Sequence, residues 1–188
     1  MSILITGGAG YIGSHVLKEL LETTMEEIIV IDNLSTGSNA TLDSLIKIRS
    51  FSYFNVDLRN ENEIDNFEDC VLYENIESVY HFAGSLLVEE SVSNPLEYYE
   101  NNVVSTINLL KMMDRLSIKN LVFSSTAAVY GIDGANPINP YGHLKKMIEQ
   151  IIIDYAKTIK LFNYSILRYF NVAGASLDNS IGQVSKTS

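Results

Sequence analysis

Apolar positions along the chain fall into short runs separated by longer stretches with helical spacing. Ile3–Thr6, Glu27–Ile31, Phe51–Asn55, Ser78–Phe82, Asn120–Ser124 and Tyr164–Tyr169 are short and rich in β-branched or aromatic side chains, so each predicts a strand. Between them the apolar residues recur every third or fourth position, which predicts helices over Tyr11–Glu22, Thr41–Ile48, Leu96–Leu116 and Tyr141–Ile159. Glu61–Glu74 reads as one helix or two short ones, and Pro95 stands where the long helix would begin. Polar or small residues at Ser35–Ala40 and Ala83–Gly84, and Pro137 with Pro140, mark turns. Strands alternating with helices predict an α/β fold: a Rossmann-type doubly wound parallel sheet with helices on both faces. One domain is expected over residues 1–175, followed by an irregular tail, Ser176–Ser188, without apolar period.

The first strand runs into Gly7, Gly8, Gly10 and Gly13 and then into a helix. Glycines there let the backbone turn tightly and approach an anion, and the helix start offers free N–H groups and the positive end of a dipole. Spacing alone is weak, but the context is the expected one: strand before, helix after, and an acid, Asp32, about twenty residues on. A carboxylate at the end of strand two accepts hydrogen bonds from a ribose diol and repels a 2′-phosphate. The next residue is Asn33 rather than Arg, so the pattern favours NAD over NADP. In a sheet of this type ligands sit beyond the carboxyl ends of the strands. That rule singles out Asp32 and Asn33, Asp57 and Leu58, Phe82, Ala83 and Gly84, Ser124, Ser125 and Thr126, and Phe170 and Asn171.

Composition narrows the partners. The 188 residues carry a net charge of −10, which argues against a nucleic-acid partner needing a basic face. It leaves room for an anionic dinucleotide held by local N–H groups. Hydrophobic residues make up 46%, yet no run reaches membrane-spanning length, so no membrane partner is expected. The first apolar stretch lacks a basic flank and a cleavage site, so a cytoplasmic protein is expected. Cys70 is alone and reads as an inert apolar position without an intrachain disulfide. His15, His81 and His143 are dispersed, so no metal site is expected; His15 reads as helix–sheet packing and His81 as a core or strand-end residue. Val103, Val104, Ile107, Leu109 and Leu110 read as a buried helix face.

Tyr141 and Lys145 are four residues apart, on one face of the helix after strand five. An ammonium near a phenol favours the phenolate and lowers its pKa, making a general base usable near neutral pH. Thr126, at the end of strand five, is placed to hydrogen-bond the same substrate oxygen.

TGGAGYIGSH at 6–15, DNLSTG at 32–37, HFAGS at 81–85, ESVSNPLEYYENN at 90–102, FSSTAAVYG at 123–131, NPINPYGHLKKM at 136–147 and LRYFNVAGA at 167–175 resemble the UDP-glucose 4-epimerase branch of the extended short-chain dehydrogenases/reductases. The resemblance implies an NAD-dependent isomerase that interconverts UDP-glucose and UDP-galactose through a 4-keto intermediate. Catalysis would fall to Tyr141 as base, Thr126 orienting the sugar 4-oxygen, and Lys145 binding the nicotinamide ribose and tuning Tyr141. Gly7, Gly10, Tyr11, Ile12, Gly13, Asp32, Asn33, Asp57, Leu58, Phe82, Ala83, Gly84, Asn101, Ser124 and Phe170, with Tyr141 and Lys145, would bind the cofactor. Thr126, Tyr141 and Asn171 would touch the UDP-sugar, and the two long helices would pair in a homodimer. Sister 4,6-dehydratases carry Asp-Glu after the Thr, where this chain has Ala127 and Ala128; two methyl groups cannot eliminate water. By the same resemblance the chain corresponds to an N-terminal NAD-binding portion with the substrate lobe absent, and the 131–136 connection is shorter than in the family. Two further readings stay open: a non-catalytic NAD-binding fragment, and an epimerase of N-acetylated or uronic UDP-sugars.

Overall fold

The computed structural model describes residues 1–132 and 134–183. Six strands, β1 (Ser2–Thr6), β2 (Glu27–Ile31), β3 (Ser52–Phe54), β4 (Ile76–His81), β5 (Asn120–Thr126) and β6 (Asn163–Tyr169), form one sheet in the order β3-β2-β1-β4-β5-β6. Every pairing is parallel. The order reverses between β1 and β4, and all carboxyl ends share one edge.

Helices α1 (Tyr11–Thr23), α2 (Asn39–Leu45), α3 (Glu61–Val71), α4 (Val88–Ser93), α5 (Pro95–Tyr99), α6 (Ser105–Arg115) and α7 (Pro140–Thr158) connect the strands. Alternation along each strand sends successive side chains to opposite faces. Leu4, Ile29 and Ile31 join Phe67, Leu109, Met112 and Leu144 in one core layer. Ile5, Ile28 and Val30 join Leu17, Leu21 and Leu45 in the other. The sheet therefore has a core on each face, as the alternating pattern predicts.

Several expectations shift. The stretch 96–116 is not one regular helix. A π-helical turn, Glu100–Val104, separates α5 from α6, and such insertions are invisible to a 3.6-residue period. Helix α4 has no counterpart in the prediction. Helix α2 starts earlier than Thr41, because the Ser38 carbonyl accepts from the Thr41 and Leu42 N–H groups. Val104 and Ile107 are partly exposed, while Val103, Leu109 and Leu110 are buried. Cys70 is exposed rather than an apolar core position. His15 bonds the Tyr11 carbonyl and meets the Tyr11 ring edge-on, so it packs within its own helix.

The tail from Ser176 to residue 183 has no helix or strand but doubles back. Ala175 bridges Gly182, Ile181 is buried against the α1 layer, and Asp178 reaches Lys18 at 2.8 Å. The remainder of the expected tail, 184–188, lies outside the described residues, as does one position of the 131–136 connection.

Candidate functional site

The turn between β1 and α1 is built by backbone proximity that only glycine permits. Gly7 sits at φ +72°, and a Cβ there would lie 2.5 Å from the Ala83 nitrogen. A Cβ at Gly13 would lie 2.1 Å from the Gly7 carbonyl oxygen. Gly10, at the start of α1, makes no side-chain cap, and no acid occupies the first helical turn. The N–H groups of that turn are thus left to a ligand rather than to the protein, which is the arrangement an anion requires. Tyr11 and Ile12 follow on the half-buried start of α1, and the Tyr11 hydroxyl donates to the Gly174 carbonyl at 2.7 Å.

Asp32 ends β2 nearly buried. Its carboxylate accepts from the Ala9 N–H at 2.9 Å and the Leu34 N–H at 2.8 Å. Burial raises its pKa and these two bonds oppose the rise. A carboxylate has about four acceptor positions, so two remain for a diol. Asn33 donates to Asp57 at 3.2 Å. The Arg59 hydrogen bonds hold Asp57 below its ordinary range against the effect of burial. Leu58 is buried, and its carbonyl accepts from Asn108. Phe82, Ala83 and Gly84 turn beside Gly7, where the strand order reverses. The π-helical turn aims Asn101 at that segment, with its amide donating to the Ser85 hydroxyl at 2.5 Å.

Across the switch point, Thr126 ends β5 and caps the turn Ala127–Tyr130 by accepting from the Ala128 N–H. Helix α7 begins at Pro140, capped by Asn139, whose side chain accepts from the Gly142 N–H at 2.8 Å. A Cβ on Gly142 would lie 2.6 Å from the Ala128 carbonyl oxygen, so glycine lets α7 press onto the end of β5. That approach brings the Tyr141 phenol against Thr126. Burial raises the phenol pKa and the Thr126 hydrogen bond opposes it. The expected lowering by Lys145 is not what the geometry gives. Lys145 is buried, donates to the Ser124 carbonyl at 2.9 Å and lies 4.8 Å from the centre of the Phe123 ring. Burial lowers its ammonium to about 8, with Glu149 opposing.

An ion network centred on buried Glu149, unforeseen in the sequence, braces this half. Glu149, one turn past Lys145, accepts from Ser125 at 2.5 Å and from both Arg168 donors at 2.9 and 2.6 Å. Burial pushes Glu149 up, but these bonds outweigh it and its pKa falls. Phe170 and Asn171, beyond β6, are exposed. Among the described residues no group of three or more His, Cys, Asp or Glu side chains is placed to hold a metal. Nor is any helix there long and apolar enough to cross a membrane.

The family model described as "NAD dependent epimerase/dehydratase family" matches residues 3–187. UDP-glucose 4-epimerase of Bacillus subtilis is 42% identical over 97% of this chain and 56% of its own length. The crystal structure of UDP-glucose 4-epimerase from Bifidobacterium longum in complex with NAD⁺ and UDP superposes with a TM-score of 0.91 at 35% identity, over 99% of this chain and 58% of that one. The UDP-Glc/GlcNAc 4-epimerase from Campylobacter jejuni superposes with a TM-score of 0.85 at 42% identity, over 99% and 58%. The chain thus spans little more than half the length of the relatives it matches.

Proposed function

The chain belongs to the NAD dependent epimerase/dehydratase family, and we propose that it binds NAD in the β1–α1 turn and carries the catalytic half of a UDP-hexose 4-epimerase. The observation that carries this reading is the Thr126–Tyr141 pair at the end of β5, with Lys145 buried one helical turn on. The glycine turn fits the cofactor, because its N–H groups are uncapped and any Cβ at Gly7 or Gly13 would fill the space.

When bound, NAD supplies a reversible two-electron acceptor for the sugar C4 position. Gly7, Gly10, Tyr11, Ile12 and Gly13 would hold its pyrophosphate. Asp32 and Asn33 would take the adenosine ribose, with Asp57 and Leu58 beside the base. Phe82, Ala83, Gly84, Asn101, Ser124 and Phe170 would line the remainder. Tyr141 would hold and return the proton of the sugar 4-hydroxyl, Thr126 would orient that oxygen, and Lys145 would bind the nicotinamide ribose. A cation there would bring the raised phenol pKa back toward neutrality. Asn171 would meet the nucleotide-sugar. Ala127 and Ala128 offer no acid or base for dehydration. We place the NAD-binding unit at residues 1–175, in a cytoplasmic protein that pairs through the α5–α6 stretch and α7, where Val104, Ile107 and Met147 are exposed.

Incubating the protein with UDP-galactose and NAD⁺ and separating the products tests the reading. UDP-glucose above the blank supports it; none, with intact fold, removes catalysis. A second reading, NAD binding without turnover, is favoured by the exposure of Phe170 and Asn171. Retained NAD with no product would select it. The Campylobacter relative, named for both glucose and N-acetylglucosamine substrates, makes UDP-N-acetylgalactosamine the first alternative substrate to try.

A further inference from the structure

His81, which the proposed reaction does not use, is held by both ring nitrogens in the core behind the site. Nδ1 lies 2.6 Å from the Thr6 hydroxyl and Nε2 lies 3.0 Å from that of Thr106. The direction of each bond follows from the neighbours. The Thr106 hydroxyl gives its hydrogen to the Asn102 carbonyl at 2.7 Å, so toward His81 it accepts, and Nε2 must carry the ring proton. Thr6 accepts from the Ala83 N–H at 3.3 Å and gives its own hydrogen to Nδ1. The result is a one-way chain from the Ala83 amide through Thr6, His81 and Thr106 to Asn102.

Both ends of that chain meet at one turn. The Asn102 amide donates to the Tyr98 carbonyl at 2.8 Å, while its Oδ1 is buried without a hydrogen-bond partner. A Cβ on Gly84 would lie 2.3 Å from that oxygen. The segment Phe82–Gly84 is therefore gripped at its amide by the Thr6 end and pressed at its glycine by the Asn102 end. Gly7, in the β1–α1 turn, packs on the same segment.

We infer that His81 is a positioning residue: its imidazole, bonded to Thr6 and Thr106, fixes the Phe82–Gly84 turn and with it the width of the crevice beside Gly7. The benefit to cofactor binding rests on the NAD reading above; the grip on the turn does not. Charging the ring would give Nδ1 a hydrogen and leave the Thr6 hydroxyl without its acceptor. Burial lowers the His81 pKa to about 3, and Lys145 acts in the same direction, so the chain of bonds keeps its sense at neutral pH.

The test uses the full chain labelled with nitrogen-15. The wild-type protein should show His81 protonated at Nε2 and bare at Nδ1, unchanged between about pH 8 and pH 5. Thr106→Val should speed exchange of the Ala83 amide by about tenfold or more. It should also weaken NAD binding by about tenfold, and Thr106→Ser should restore both to within about threefold. Ile64→Val, a core change remote from the turn, should leave Ala83 exchange alone at a matched loss of stability. A ring protonated at Nδ1, or Ala83 exchange unaltered in Thr106→Val, overturns the proposal. The tautomer needs no variant, so a misfolded mutant does not rescue the idea. Absence of NAD binding by the wild type sinks the cofactor reading alone, since tautomer and exchange still decide the role of His81.

Discussion

Strands β1 and β6 belong to the same parallel sheet and end at the same edge, yet they live in different surroundings. β1 lies between β2 and β4, with Leu4, Ile5 and Thr6 fully buried and both faces covered by helices. β6 pairs only with β5, and Tyr164, Leu167 and the following Phe170 are exposed. The β1 side carries the glycine turn, Asp32 and the His81 chain of bonds, where nearly every buried polar group has a partner. On the β6 side, buried Glu149 and its partly exposed partner Arg168 brace α7 behind Thr126 and Tyr141, but nothing among the described residues covers the outer face. The β1 half is thus closed by this chain's own residues. The β6 half has a bare outer face beside Thr126 and Tyr141, and on the proposed reading enclosure and positioning there would supply much of the rate.

Four changes test that contrast, the largest expected effect first. Tyr141→Phe removes the phenol that hydrogen-bonds Thr126. Where the protein turns over UDP-galactose, the rate should fall by roughly 10²–10⁴-fold, with the melting temperature unmoved. Gly13→Val forces a side chain into the Gly7 carbonyl. NAD affinity should drop by about 100-fold, and urea unfolding should show a loss of about 1–3 kcal/mol. Unaltered affinity would show that the β1 half is not the seat.

Acid is the third lever. The buried His81 has a folded pKa of about 3, below its unfolded value of 6.5. The unfolded chain therefore binds the extra proton first, and stability is full above that unfolded value. It declines as pH falls toward the folded one, by at most about 1.4 kcal/mol per pH unit from this group. Denaturant midpoints between about pH 6.5 and 5 measure the slope, and His81→Gln should flatten it. Leu167→Ser, on the bare face of β6, should change stability by less than about 0.5 kcal/mol. It should reduce self-association in light scattering if that face is sticky.

Much of the β1 half was legible in the sequence, because its signals are local. Strand, glycines, helix and acid follow one another within 32 residues, and each demand is met by a neighbour in the chain. The features not legible there depend on partners far apart in the chain. Glu149 reads as a helix-surface acid until Ser125 and Arg168 close on it. Asn102 and Thr106 look like ordinary polar positions of a long helix. A π-helical turn at Glu100–Val104 instead brings Asn101 to Ser85 and Asn102 to Gly84. The short α4 hid between Gly84 and Pro95, although its Ser91 accepts from the Tyr141 N–H and so helps seat α7. Spacing shows that Lys145 is near Tyr141, not that its ammonium is turned to the Ser124 carbonyl while burial governs the phenol.

The most direct test of the whole account is a calorimetric titration of the protein with NAD and, separately, with NADP. Asp32 at the end of β2 and the uncapped start of α1 predict one NAD per chain, bound at least about 100-fold more tightly than NADP. Equal binding of the two, or no heat with either, would contradict it.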